Sequence, residues 1–275
     1  MANRISQSFA AAQQAGRGIL GVFVSAGDPS EALCVDILDE IVAGGADVIE
    51  LGMPFSDPMA DGPAIQAASL RAIKAGMTLE KTLQIAADFR HRHPDIPLIL
   101  MGYFNPIYIY GRDAFLAKAK EAGVDGLIIV DLPPEEDGEL CDPAREAGLD
   151  FIRLTTPTTK GGRLTRVLEK AGGFVYYVSI TGITGTKSAG ADSIKAAVAD
   201  IRAATELPVV TGFGIRTPEQ AAEAATLSDG AIVGSAVVDI IAQNIDDAGV
   251  PSADIPQKIG AFVADMAKAI AASGK

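Results

Sequence analysis

A chain of 275 residues is long enough to bury a sizeable core, and its length fits either two average domains or one α/β barrel of roughly 250 residues. With 48% hydrophobic and 21% charged residues it has the make-up of a soluble globular protein, and 29 glycines with 15 prolines are too few for a collagen-like or low-complexity chain. A net charge of −12 and a pI near 4.6 exclude a nucleic-acid backbone as the main partner, while a small anion held by backbone amides stays compatible.

In chain order, the first ten residues, MANRISQSFA, have no basic stretch followed by an apolar core. A secretory signal is therefore not expected, and the expected location is cytoplasmic. No apolar run reaches the roughly 18 residues that span a bilayer. From residue 18 onward two element types alternate. β-rich runs fall at 18–25, 46–51, 97–101, 124–131, 150–155, 174–179, 208–212 and 229–234. Helical patterns fill the gaps at 30–43, 62–92 in two pieces, 111–122, 135–147, 160–171, 190–204 and 217–226. Two more, at 235–247 and 254–272, follow the last run. Glycine lies just past several helix ends, before Ala46, Val124 and Leu149. Asp28-Pro29-Ser30 and Thr217-Pro218-Glu219 supply capping side chains and proline at helix starts.

Strands that alternate with helices form a parallel sheet with right-handed crossovers. Eight such units predict one domain over 1–275, a closed (β/α)8 (TIM) barrel with extra helices. An open doubly wound sheet is the alternative. The segment Asn244–Pro256, joining the last two helices, is expected to be loose. Cys34 and Cys141, far apart in sequence, are expected to be buried thiols. His91 and His93, the only histidines, are expected at a helix end on the surface; no accompanying ligand cluster suggests a metal.

In such barrels the chemistry sits at the C-terminal strand ends. Glu50 lies near the end of an apolar run, where burial raises a carboxyl pKa into the range useful for proton transfer at neutral pH; the alternative is a Glu paired to a Lys or Arg across the barrel rim. Pro54–Pro63 is too long for a simple strand–helix connection and carries Asp57 and Asp61, each a candidate second polar group or, alternatively, a turn or N-cap aspartate. Late in the chain, Thr211-Gly212-Phe213-Gly214-Ile215 follows the seventh run and Gly234-Ser235 ends the eighth and opens a helix. Phosphate is often held at this place by backbone N–H groups, with glycine allowing close approach. Ser179–Gly190 has no apolar periodicity and offers Thr184, Gly185 and Lys187 as loop contacts. Phe23, Tyr103, Asp131 and Tyr176 fall at strand ends, either lining an apolar pocket or packing the rim.

Seven segments carry a family resemblance: FVSAGDP (23–29), ELGMPFSDPMADGPAIQ (50–66), LMGYFNP (100–106), VDGLIIVDLPP (124–134), TGITG (181–185), GFGI (212–215) and AIVGSAV (231–237). On them the chain resembles the tryptophan synthase alpha family across nearly the whole barrel. The resemblance implies a lyase of tryptophan biosynthesis that cleaves indole-3-glycerol phosphate to indole and glyceraldehyde 3-phosphate. It implies that Glu50 is the acid/base and that Asp61 accepts the indole N–H. It gives phosphate binding to Gly185, Gly214, Gly234 and Ser235, pocket lining to Phe23, Tyr103, Tyr176 and Phe213, and docking on Asp61 to Thr184. No metal and no cofactor are implied in this chain. A β subunit carrying pyridoxal phosphate is implied as partner in an α2β2 heterotetramer. Met53 and Met59 stand where smaller or branched apolar residues are usual, and Ala64 where Thr or Val is common. A stand-alone indole producer, another phosphosugar-processing barrel and a non-catalytic activator subunit are the alternatives.

Overall fold

A computed structural model of the protein describes residues 3–179, 191–212 and 214–274. The chain opens with helix α1 (Arg4–Gln14), capped by the Asn3 side chain, which accepts from Ser6 N. Strand β1 (Ile19–Ser25) and helix α2 (Glu31–Ala43) follow, then β2 (Val48–Gly52), α3 (Pro63–Lys74) and α4 (Leu79–Arg92). Next come β3 (Leu98–Gly102), α5 (Phe104–Tyr110), α6 (Arg112–Glu121) and β4 (Gly126–Ile129). A 3-10 turn (Pro134–Glu139) leads into α7 (Cys141–Glu146), β5 (Asp150–Phe151), β6 (Arg153–Thr155) and α8 (Gly162–Leu168). The last third holds β7 (Val175–Val178), α9 (Ala191–Arg202), β8 (Val209–Gly212), α10 (Pro218–Leu227), β9 (Gly230–Val233), α11 (Ser235–Gln243) and α12 (Ile255–Ser273).

All strand pairings within the sheet are parallel, in the order β5-β4-β3-β2-β1-β9-β8-β7-β6. The two ends of that order are the two halves of one predicted run, 150–155. β5 pairs with β4 and β6 pairs with β7, and only Ile152 lies between them, its N–H donating to Leu127 O at 2.9 Å. The sheet therefore closes on itself as a barrel, and the doubly wound alternative is excluded.

Alternation along the strands sorts the apolar residues into two layers. Ile19, Val48, Ile99, Ile128, Ile152, Phe174, Tyr176, Val210 and Ile232 pack together inside the cylinder. Helix α1 adds Ile5, Phe9 and Ala12 to that cluster, with the Phe9 and Phe174 ring centroids 5.7 Å apart. The opposite strand faces, among them Leu20, Val22, Val24, Leu51, Leu100 and Leu127, pack against the outer helices. The sequence reading omits α1, whose spaced Ile5, Phe9 and Ala12 form a sparse stripe in a polar helix. It also omits α5, whose FNPIYIY is aromatic and β-branched, poor helix material; its entry is fixed from outside, because the Asp131 carboxylate accepts the Phe104 N–H at 2.8 Å.

Other expectations meet the structure simply. Cys34 and Cys141 are buried and unbridged, and burial pushes their thiols up to about 12 and about 11. His93 caps the end of α4 and its Nε2 lies 2.7 Å from an Asp39 oxygen. The Asn244–Pro256 segment is tied rather than loose: Ile245 and Pro251 form an antiparallel bridge, and the Asp246 carboxylate accepts from Ala248 N and Val250 N at 2.9 and 2.8 Å. Among the described residues no helix is long and apolar enough to cross a membrane, and no group of three His, Cys, Asp or Glu side chains could hold a metal ion.

Candidate active site

A cavity of about 490 Å3 opens at the C-terminal ends of the strands. Phe23, Met101, Tyr176 and Ile232 form apolar wall, and Glu50 points into it from the middle of β2. Asp61 enters from the start of α3. On the far side stand Gly214, Arg216, Gly234, Ser235 and Asp239. Registry explains the grouping: β2 and β9 both pair with β1, with Phe23 opposite Glu50 and Val22 opposite Val233. The two acids and the glycine-rich turns thus converge from neighbouring strands although about 180 residues separate them in sequence.

Glu50 is 1% exposed, and neither of its carboxyl oxygens has a hydrogen-bond partner among the described residues. Burial pushes its pKa up to about 8, so at neutral pH it is mainly the protonated acid. An orphaned buried carboxyl is costly in a folded chain.

The loop before α3 resolves the two readings of its aspartates. Gly62, not Asp61, is the N-cap of α3, and no side chain caps it. Asp61 is instead held by its neighbours: Asp61 N donates to Pro58 O at 3.0 Å, and Gln66 Nε2 donates to Asp61 O at 2.9 Å. Its carboxyl is pushed up to about 6 by burial, against a hydrogen bond from Tyr103 that lowers it. Asp57 is exposed and lies outside the cavity lining.

Tyr103 lines a small pocket with Met53, Ser69 and Gly102 that shares Phe23, Asp61, Ile65 and Met101 with the main cavity. Its hydroxyl accepts from Ala60 N at 2.9 Å and donates to Asp61, so it positions the second acid. Asp131 is outside the cavity, serving α5 as described above. Phe23, Tyr176, Gly214, Gly234 and Ser235 all line the cavity. Thr184, Gly185, Lys187 and Phe213 lie outside the described residues.

Two glycines make room for this arrangement. A Cβ on Gly212 would lie 2.1 Å from the Tyr176 hydroxyl oxygen, and one on Gly52 2.6 Å from Phe23 Cζ. At the far side Gly214 has a positive φ of 81°, a conformation open chiefly to glycine, and α11 begins at Ser235 without a side-chain cap. Gly234 and Ser235, at the start of that helix, line the cavity, and a helix N-terminus is a place suited to an anion. Two carboxyls at one end and a glycine-lined helix start at the other define the cavity. Arg216 and Asp239 were not foreseen: no local pattern marks them, and only the packing of α11 beside the β8–α10 turn brings them together.

Comparison with known proteins agrees with this geometry. The tryptophan synthase alpha chain family matches residues 9–269. Tryptophan synthase subunit alpha from Legionella pneumophila str. Paris is 38% identical, with 98% of this chain and 99% of that chain covered and a TM-score of 0.88. A protein of Aquifex aeolicus VF5 is 34% identical over 98% and 99%, with a TM-score of 0.88. A Mycobacterium tuberculosis tryptophan synthase chain is 31% identical over 98% and 99%, with a TM-score of 0.87.

Proposed function

The chain belongs to the tryptophan synthase alpha chain family, and from that premise we propose which of its residues carry out the family's reaction. The protein is a carbon–carbon lyase of tryptophan biosynthesis. It cleaves indole-3-glycerol phosphate to indole and glyceraldehyde 3-phosphate.

In the proposed mechanism Glu50, protonated at neutral pH, delivers its proton to the indole ring carbon that bears the glycerol chain. The ring nitrogen becomes cationic, and Asp61, ionised above about pH 6, accepts its N–H and stabilises the charge. The adjacent chain hydroxyl then loses its proton to the Glu50 carboxylate, and its oxygen becomes the aldehyde carbonyl. The C–C bond breaks, and its electron pair returns to the ring and neutralises the nitrogen. Two carboxyls with different environments divide the proton and charge roles. Gly214, Gly234 and Ser235, with Gly185, hold the phosphate away from the breaking bond and so orient the chain. Phe23, Tyr176 and Phe213 flank the indole, and Thr184 docks on Asp61. The observation that carries this assignment is the unpartnered Glu50 carboxyl, buried at the cavity wall.

The chain needs no cofactor of its own; pyridoxal phosphate belongs to the β subunit, its partner in an α2β2 assembly. The rim supports such a partner. Met59 in the loop after β2 is 69% exposed, and Tyr108 and Ile109 on α5, after the neighbouring β3, are 64% and 77% exposed. Apolar side chains gathered at one edge favour a covered surface. We read residues 1–275 as one domain working in the cytoplasm.

The test is release of indole from indole-3-glycerol phosphate, with and without a β subunit. The chain has no tryptophan, so indole fluorescence is unobscured. Slow cleavage alone and faster cleavage with the partner are expected. Fast cleavage alone would indicate a stand-alone indole producer, and no cleavage in either condition would remove the roles given to Glu50 and Asp61.

A further inference from the structure

Ionisable side chains around the cavity are unevenly distributed. Glu50, Asp61 and Asp239 are carboxyls, and among the described residues Arg216 is the one cation lining it. A phosphate ester carries close to two negative charges at pH 7. Backbone amides supply partial charge only, so a dianion entering beside Asp239 benefits from a full positive charge at that end.

We propose that Arg216 binds the substrate phosphate directly, with Asp239 as the residue that positions it; the inference rests on the lyase reading and assigns its phosphate end a side-chain contact. Three placements carry it. Arg216 lies two residues after Gly214, and both line the cavity. Its backbone is fixed at the entry to α10, where its N–H donates to Gln220 Oε1 at 2.7 Å; Gln220 is also the partner of Thr217 in the capping box of that helix. Asp239 stands four residues after Ser235 on α11, so the two share one helix face, toward the cavity.

The Asp239 carboxylate accepts from Arg216 Nη1 at 2.6 Å. A guanidinium has five N–H donors in a planar fork. With Nη1 engaged by Asp239, the remaining donors are available for a second anion. With the cavity free, Asp239 balances the guanidinium charge; with substrate bound, Arg216 bridges carboxylate and phosphate.

The test compares wild type with Arg216→Gln and Arg216→Lys. Inorganic phosphate is titrated by calorimetry at low ionic strength. Separately, kcat/KM is measured for indole-3-glycerol phosphate and for its dephosphorylated analogue. Arg216→Gln is expected to weaken inorganic phosphate about tenfold, the range for a charge-assisted bond at a half-exposed site. It is expected to lower the preference for the phosphorylated substrate by a similar factor, the loss falling on KM rather than kcat. Arg216→Lys is expected to recover most of that loss, and the difference between variants is expected to shrink at high salt. Phosphate affinity and substrate preference within twofold of wild type in Arg216→Gln would overturn the proposal, as would an equal loss on both substrates. A wild-type chain that cleaves nothing would instead overturn the lyase reading, and the phosphate titration would still decide the role of Arg216.

Discussion

Replacing Glu50 by Gln is expected to change how stability depends on pH. The folded chain holds the Glu50 proton up to about pH 8, against 4.5 for a free side chain. An acid whose pKa is raised on folding binds its proton more tightly in the folded state. Stability is thus undiminished below about pH 4.5, falls as pH rises, and levels off beyond about pH 8. At about 1.4 kcal/mol per unit, a shift of this size amounts to roughly 5 kcal/mol above pH 8 and roughly 3 kcal/mol at pH 7. That is a large share of the roughly 5–15 kcal/mol that holds a typical domain. A glutamine side chain fills nearly the same volume, resembles the neutral acid and cannot ionise. Urea unfolding of the two proteins at pH 5.5, 7 and 9 gives the difference directly, because every other titrating group is common to both. The expected result is a Glu50→Gln advantage of only about 1 kcal/mol at pH 5.5 that grows to several kcal/mol at pH 9, with unchanged urea dependence. Stability curves that run parallel across this range would refute the buried, unpartnered state of Glu50.

Activity gives independent checks. With Asp61 titrating at about 6 and Glu50 at about 8, kcat/KM is expected to be bell-shaped between those limbs, read from initial rates at pH 5 to 10. In Tyr103→Phe the hydrogen bond that lowers the Asp61 pKa is gone, so the acid limb is expected to move upward while the alkaline limb stays. Gly212→Ala forces the Tyr176 ring from its place beside Glu50; a drop in kcat/KM of about tenfold or more and a stability loss of about 1–3 kcal/mol are expected, and full activity would contradict the packing described. Asp28, fully buried, accepts from Arg71 Nε and Nη2 at 2.8 and 2.7 Å and so ties the end of β1 to α3; Asp28→Asn is expected to cost roughly 3 kcal/mol, measured by urea unfolding.

The strands were legible in the sequence because both of their faces are covered, which writes them as unbroken apolar runs such as 98–101 and 127–130. The break at Ile152 was not legible, since it reflects which neighbour each half pairs with rather than any change in composition. Glu50 could be singled out because a carboxylate inside an apolar run is locally anomalous. Asp61 could not be separated from a capping aspartate until Gly62 proved to hold that position. Tyr103 belongs to the site through its hydroxyl, and a residue's place in the chain does not say where its far end reaches. Arg216 and Asp239 meet because the β8–α10 turn and α11 lie side by side only in the closed barrel.

The seam between β5 and β6 has a mechanical meaning. The cylinder is joined there by two residue pairs on one side and three on the other, whereas β1 and β2 share five. The shortest pairing of the ladder, the two rungs between β4 and β5, therefore lies across the barrel from β1, the strand around which Glu50 and the glycine turns of β8 and β9 are gathered. Fewer rungs make a wall easier to open locally. Deformation imposed on the rim, by a docking partner or by substrate, can be taken up there as a slight opening of the hoop, while the distances that matter for proton transfer keep their gauge.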